Sequence, residues 1–208
     1  MNNKYSIQTL FPTPVYVSKL DIDLKPYIDL SLKEEHIKIS NNTSHRKDHS
    51  LKSKSSFVLE EKKYIYIKNE IIKHINTYTK NILKCTNSFR ITTSWFTYTN
   101  PGDESYIHRH RNSVFSGVVY LQCSKDSGNI TFETFSDTSC FRLNYEEHNI
   151  LNSTAHFFTP ENNVIIMFPS KTYHKIDTNN SKLKRISLAF NVIPVGTFGD
   201  EDSTMTIV

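Results

Sequence analysis

The sequence predicts a mainly β protein with flanking helices and a double-stranded β-helix core, the cupin-like form of the jelly roll. After Asn87, short runs of β-branched and aromatic residues alternate with turn residues, which is typical of a sandwich or barrel of many short strands. With 208 residues the chain is long enough to bury a substantial core. The predicted core strands are 89–99, 107–110, 114–122, 129–135, 155–159, 164–168, 173–177 and 184–193.

The first part of the chain is predicted to pack against the outside of this core. A strand is expected at 13–20, followed by a short helix that Asp23 could cap, with Pro26 in its first turn. Residues 39–55 are polar and lack periodicity, which predicts a loop. Over 60–83 the apolar residues recur every three or four positions, which predicts a long amphipathic helix.

One domain is predicted over residues 1–208. It comprises an N-terminal strand and helices in 1–87, the double-stranded β-helix in 88–193, and a tail in 194–208 that is mobile or pairs at a sheet edge. The stretch 136–154 has little periodic signal and is predicted to be a loop near the barrel mouth, where specificity is often set.

Three histidines in the second half of the chain indicate a metal site. His108 and His110 are two residues apart, and on an extended strand residues at this spacing face the same side. Their imidazoles can therefore converge on one ion, and His174 from a distant strand can supply a third ligand. The opposite side of the ion would then stay open for chemistry.

An arginine is predicted beside this site. Turn residues at 178–181 separate two predicted strands, so we expect a hairpin that places His174 opposite Arg185 or Ser187, with side chains about 5 Å apart. A guanidinium is a permanently charged fork suited to a carboxylate. The pattern predicts a metal centre with a carboxylate-bearing co-ligand anchored next to it.

Several segments of the chain resemble one known family. They are residues 10–15, Ser94-Trp95, Asn100-Pro101-Gly102, His108-x-His110 with Ser113, Ser116-Gly117, Tyr120-Leu121, Phe168-Pro169-Ser170, His174, Arg185-Ile186-Ser187 and Phe190-Asn191. Together they resemble the small 2-oxoglutarate- and Fe(II)-dependent oxygenases of marine bacteria and their phages. The likeness is densest from Trp95 to Asn191.

This resemblance implies a hydroxylase that uses Fe(II), 2-oxoglutarate as co-substrate and O₂, and acts on a substrate that the sequence does not identify. It implies that His108 and His174 bind the iron, and that Arg185, helped by Ser187, holds the distal carboxylate of 2-oxoglutarate. Tyr98 and Tyr120 are further candidates for co-substrate binding, because a tyrosine hydroxyl beside the metal could bind it.

Position 110 departs from the wider superfamily, which usually has Asp or Glu two residues after the first histidine. His110 is therefore a third metal ligand or a residue that orients a ligand or the co-substrate. Three imidazoles form a neutral ligand set, which favours an anionic chelator on Fe(II) and equally suits Zn²⁺. Arg111, where the family often has proline, adds positive charge nearby.

Two other functions fit the same residues. One is a three-histidine cupin-like metalloenzyme that binds Fe, Zn or Mn and uses O₂ or activated water without 2-oxoglutarate. The other is a non-catalytic jelly-roll interaction module whose histidines pack or hold a structural ion.

Charge and composition narrow the expected partners. The net charge is +4, and basic residues cluster in 44–55 without interleaved aromatic residues. That pattern favours a solvated loop over a nucleic-acid surface, with contact to an acidic substrate as the alternative.

Cys85, Cys123 and Cys140 share no close spacing, which argues against a disulfide framework or a cysteine metal cluster. The sequence shows neither a signal-peptide pattern nor a run of about 20 apolar residues. We therefore expect a soluble cytoplasmic protein with no membrane partner. The oligomeric state stays open, and a homodimer is one possibility.

Overall fold

A computed structural model describes residues 6–39, 50–134 and 143–208. The strands are β1 (Tyr16–Lys19), β2 (His36–Lys38), β3 (Leu51–Ser53), β4 (Ser88–Thr99), β5 (Phe115–Gln122), β6 (Ile130–Glu133), β7 (Ala155–Phe158), β8 (Val164–Pro169), β9 (Tyr173–Ile176), β10 (Arg185–Phe198) and β11 (Met205–Ile207). The helices are α1 (Lys25–Ser31) and α2 (Ile65–Asn76), and α2 continues as a π-helical segment, Thr77–Ile82. Short 3₁₀ turns lie at Val58–Glu60, Lys62–Tyr64 and Glu201–Ser203.

The strands form two antiparallel sheets. The larger has the order β1-β8-β5-β10-β4-β3-β2, with β11 paired to β10, and the smaller has the order β7-β6-β9. From β5 to β10 the chain passes repeatedly between the two sheets, as it does in a double-stranded β-helix. The predicted fold class, mainly β with flanking helices around such a core, is confirmed.

The predicted long helix packs on the outer face of the larger sheet. Ile67, Ile71 and Ile75 of α2 are buried in one cluster with outward-facing side chains of the sheet such as Phe96 and Leu188. Alternate residues of a strand face opposite sides. The neighbours of these outward-facing residues therefore face the second sheet.

A smaller apolar cluster lies on that inner face. It comprises Val118 and Tyr120 of β5, Ile166 and Phe168 of β8, Ile130 and Phe132 of β6, and Cys123 and Val164. This cluster packs between the two sheets and holds them together.

Residues 39–55 are more ordered than predicted. Residues 40–49 lie outside the described part of the chain, but Leu51–Ser53 form β3, which pairs with both β2 and β4. A three-residue polar strand has no detectable periodicity, and it forms because its neighbours supply backbone hydrogen bonds. The tail also pairs, since β10 runs to Phe198 and β11 returns along it.

The predicted hairpin between 173–177 and 184–193 is wrong. β9 pairs with β6 in the smaller sheet, whereas β10 pairs with β4 and β5 in the larger one. The connection between them is a crossing, held by the buried Asn179, whose side-chain amide donates to the carbonyls of Thr99 and Leu183 at 2.9 Å. Turn-forming residues serve a crossing as well as a hairpin, so composition could not distinguish the two.

At 107–110, where the sequence predicts a strand, the structure has only a single β-bridge. His108 makes one isolated antiparallel bridge to His174, in which each backbone N–H donates to the other carbonyl at 2.8 Å. The N–H of His110 donates to the carbonyl of Ser170 at 3.0 Å. Of the predicted loop 136–154, residues 136–142 lie outside the described part of the chain, and 143–154 contain bends and turns. Within the described ranges, none of the helices has the length and apolar character needed to span a bilayer.

Candidate metal and co-substrate site

The three predicted histidines meet at one point between the sheets. Their candidate ligand nitrogens all lie within 4.8 Å of one another. His108 and His110 come from the segment before β5, and His174 comes from β9. The ring centroids of His108 and His174 are 4.4 Å apart, and those of His110 and His174 are 5.1 Å apart. The structure therefore brings together side chains that are 64 residues apart in sequence, from position 110 to position 174.

Backbone carbonyls orient two of the rings. Nδ1 of His108 lies 2.9 Å from the carbonyl oxygen of Tyr106, and Nδ1 of His174 lies 3.1 Å from that of Thr172. A carbonyl oxygen can only accept, so in each ring Nδ1 carries the hydrogen and Nε2 keeps its lone pair. Metal-binding histidines commonly have such a supporting hydrogen bond.

Burial favours the neutral form of two of these imidazoles, those of His110 and His174. Desolvation, with a smaller contribution from His108, lowers the pKa of His110 to about 4. Desolvation followed by the neighbouring His108 and His110 holds the pKa of His174 well below its usual range. Neutral nitrogen donors at this spacing fit a divalent transition metal such as Fe(II) or Zn²⁺. No carboxylate of the described residues joins the group.

A cavity of about 390 Å³ opens onto the histidines, and its size is within the range of small-molecule sites. Its described lining contains no Asp or Glu. The lining includes two cations, Lys52 and Arg185, and several hydroxyl and aromatic side chains. These are Ser50, Ser56, Thr93, Thr97, Ser105, Ser187, Trp95, Tyr106 and Phe168.

Arg185 is buried at the start of β10, with a relative exposure of 1%. One terminal nitrogen donates to the carbonyls of Ser127 and Gly128 at 3.1 and 2.9 Å, and the other donates to Oγ1 of Thr99 at 3.1 Å. Its Nε has no hydrogen-bond partner in the described part of the chain. No carboxylate of the described residues lies within ion-pair distance. Burial lowers the pKa of Arg185, but a guanidinium stays charged at neutral pH.

Tyr120 supplies a second unpartnered donor. Its hydroxyl is buried without a hydrogen bond to any residue that the structure describes, and burial raises its pKa well above the usual range. Tyr120 interacts electrostatically with Arg185, and it pairs in register with Ser187, the neighbour of Arg185 on the same face of β10. A buried cation and two unsatisfied donors are unfavourable unless an anion joins them. Arg185 and Tyr120 together are therefore suited to binding a carboxylate.

Tyr98 is a correction to the predicted co-substrate site. It faces the outer cluster, where its hydroxyl donates to the carbonyl of Ser31 at 2.6 Å and its ring lies 4.1 Å from that of His36. The cavity is lined by the odd-numbered residues of β4, such as Thr97, so Tyr98 lies one residue out of phase.

Three residues that position Arg185 were not predicted from the sequence. Thr99 is the register partner of Arg185 on β4, and Ser127 and Gly128 offer their carbonyls from the turn before β6. Gly128 has a φ of 85°, and a side chain there would collide with the carbonyl of Asp177. The only sequence signal was a Ser-Gly-Asn turn motif, which does not indicate a partner for an arginine.

A known family model matches the part of the chain that contains this site. The family model described as "Putative 2OG-Fe(II) oxygenase" matches residues 93–191, which include the three histidines, Tyr120, Arg185 and Ser187. No curated protein matches the sequence significantly.

Solved structures are similar over most of the chain. An oxidoreductase of the 2OG-Fe(II) oxygenase family from Burkholderia pseudomallei has a TM-score of 0.61 at 11% identity, covering 81% of this chain and 78% of that one. The non-heme α-ketoglutarate-dependent epimerase SnoN from nogalamycin biosynthesis gives 0.64 at 10% identity, covering 89% and 79%. This chain shares their fold. HygX from Streptomyces hygroscopicus, with nickel and 2-oxoglutarate bound, gives 0.61 at 8% identity, covering 88% and 83%.

Proposed function

We propose that this protein is an Fe(II)- and 2-oxoglutarate-dependent oxygenase that hydroxylates a substrate and releases succinate and CO₂. One observation carries the proposal: three metal-competent imidazoles share a cavity with a buried guanidinium that has no carboxylate partner within the described ranges. The family model over 93–191 and the fold shared with 2-oxoglutarate-binding proteins support it.

Each residue would have a defined role. His108 and His174 would present Nε2 to Fe(II), with His110 as the third ligand. Arg185 and Tyr120 would hold the distal carboxylate of 2-oxoglutarate, with Ser187 beside them. When bound, Fe(II), 2-oxoglutarate and O₂ supply the oxidising chemistry, while the protein contributes orientation and a pocket that excludes water. Neutral ligands leave the metal its full charge, which favours a dianionic co-substrate.

The geometry favours this function over the two alternatives. A three-histidine enzyme that does not use an oxo acid, or a non-catalytic module, would leave the buried Arg185 charge without a counter-ion and the Tyr120 hydroxyl without a hydrogen bond among the described residues. Such unpaired buried groups are costly, and proteins rarely retain them without a ligand.

The first test is co-substrate binding and turnover. Anaerobic addition of 2-oxoglutarate to Fe(II)-loaded protein should give a weak visible absorption band, and admission of O₂ should release succinate even without the natural substrate. Protein with full iron occupancy that shows neither the band nor succinate would contradict the proposal.

A second test concerns the role of His110. His110→Phe keeps a buried ring but removes the lone pair, so we expect metal affinity to fall at least about 100-fold, the upper end of the effects of supporting residues. His110→Asp should stay within about tenfold of the wild type, because a carboxylate also binds Fe(II). Titration with Co(II), followed by its visible absorption, measures both. Wild-type affinity in His110→Phe would show that His110 is not a ligand.

A further inference from the structure

Lys52 is the second cationic side chain that lines the cavity, and the described residues give it neither an ion-pair partner nor a hydrogen-bond partner. It lies on β3, is half-buried and lines the cavity wall. No hydrogen bond or ion pair joins its ammonium group to another described residue. Lys54, two residues further on, is instead exposed and pairs with Glu35 at 3.0 Å. Among the described residues, the charge of Lys52 therefore lies at the cavity without a counter-ion, whereas that of Lys54 lies in a surface ion pair.

Strand register separates Lys52 from the proposed co-substrate site. Lys52 pairs with Thr97 of β4, Thr97 pairs with Ser187 of β10, and Ser187 pairs with Tyr120 of β5. Neighbouring strands lie about 4.8 Å apart, so the backbones of Lys52 and Ser187 are roughly 10 Å apart. Lys52 and Tyr120 therefore stand at opposite ends of one row across the sheet. An anion bound at the Tyr120 end leaves Lys52 available.

The net charge that the cavity would have with metal and 2-oxoglutarate bound also favours binding of a further anion. Ligand histidines are neutral when they bind a metal. The charges of a divalent cation and a dianionic co-substrate cancel, which leaves those of Arg185 and Lys52. With no acidic residue in the described lining, the pocket keeps a positive field, and a low-dielectric cleft focuses such a field on an incoming ligand.

A hydroxyl group beside Lys52 can help to complete a binding site for an oxyanion. Thr97 is the direct cross-strand neighbour of Lys52, and both residues line the cavity. An ammonium group with a nearby hydroxyl donor suits carboxylate, phosphate or sulfate oxygens.

We propose that the primary substrate carries an oxyanion group that binds Lys52, at the end of the cavity away from Arg185. This inference rests on the proposed function, since it places the substrate beside the metal and the co-substrate. It makes Lys52 a specificity-determining residue that is not needed to bind 2-oxoglutarate.

Trp95 allows a direct test, because it is the single tryptophan of the chain and lines the same cavity. Protein loaded anaerobically with Fe(II) and 2-oxoglutarate is titrated with sodium sulfate at constant ionic strength while tryptophan fluorescence is recorded. We expect a saturable change. Lys52→Met should weaken sulfate binding at least about tenfold, as expected for loss of a hydrogen bond to a charged group, with unchanged 2-oxoglutarate affinity.

Two control variants test whether the effect on sulfate binding is specific to the charge of Lys52. Lys54→Met removes the same charge from an exposed position and should leave sulfate binding unchanged, whereas Lys52→Arg should retain it. Protein that binds 2-oxoglutarate but shows no saturable sulfate effect, or an equal effect in Lys52→Met, overturns the inference alone. Loss of 2-oxoglutarate binding in Lys52→Met also overturns it. Failure of the wild type to bind 2-oxoglutarate overturns the proposed function.

Discussion

Replacing Arg185 with methionine is expected to raise the dissociation constant for 2-oxoglutarate at least about 100-fold. The guanidinium is buried, and its unpartnered Nε is available to a carboxylate. Charge-assisted hydrogen bonds contribute about 1.5–3 kcal/mol each, and about 1.4 kcal/mol corresponds to a factor of ten in affinity. The terminal nitrogen that donates to Thr99 has a second N–H, so with Nε it can make two such bonds to the carboxylate, and their loss gives at least the stated effect. Anaerobic titration of Fe(II)-loaded protein, followed by the visible band, measures it.

The same variant should retain its fold and its metal affinity. Removing a buried charge that lacks a counter-ion relieves a desolvation cost, which offsets the lost bonds to Thr99, Ser127 and Gly128. In thermal unfolding, 2-oxoglutarate should stabilise the wild type and have little effect on Arg185→Met, because only a ligand that binds the folded state raises stability. Arg90→Met, at an exposed position of β4, is the matched control. A folded Arg185→Met protein with wild-type affinity for 2-oxoglutarate would disprove the assigned role.

Replacing His174 with alanine should weaken Fe(II) binding more than 100-fold and abolish the 2-oxoglutarate absorption band. His174 is the most buried of the three histidines, and its Nδ1 contact leaves Nε2 as the donor. Loss of a direct ligand should exceed the 10–100-fold effects seen for supporting residues. Isothermal titration of anaerobic protein with Fe(II) measures the change.

Packing must be separated from ligation in this experiment. The His174 ring contacts Phe168 and Phe132, so alanine also leaves a cavity. His174→Leu fills that space without a donor and should lose the metal equally. His156→Ala, at an exposed position on β7 in the same sheet, should bind Fe(II) like the wild type. Retention of Fe(II) by a folded His174→Leu protein would show that His174 is not a ligand.

The sequence predicted the parts of the fold that follow from periodicity. The alternating patterns of β4 and β10 and the helical repeat of α2 each depend on a buried face, so they are visible in the sequence itself. The convergence of His108, His110 and His174 was likewise deducible from spacing and order, because few arrangements bring such residues into one core.

Features that depend on a partner strand could not be deduced. Whether β10 follows β9 as a hairpin or as a crossing is decided by pairing with β4, β5 and β6, which involves residues far away in sequence. Tyr98 and Thr97 differ by one position, and only the observed register shows that Thr97 faces the cavity. The sequence predicts Lys52 in a solvated basic loop, and only the pairing of β3 with β4 shows that this residue lines the cavity.

The reciprocal backbone bond between His108 and His174 has a consequence for how the centre is assembled. The two segments that carry the proposed ligands His108 and His174 are joined by backbone hydrogen bonds, so the site loses its conformational entropy during folding and not when an ion binds. In small zinc domains, by contrast, metal binding and folding are one event. We therefore expect the protein to keep its fold when a chelator removes bound metal and to bind the metal again without refolding.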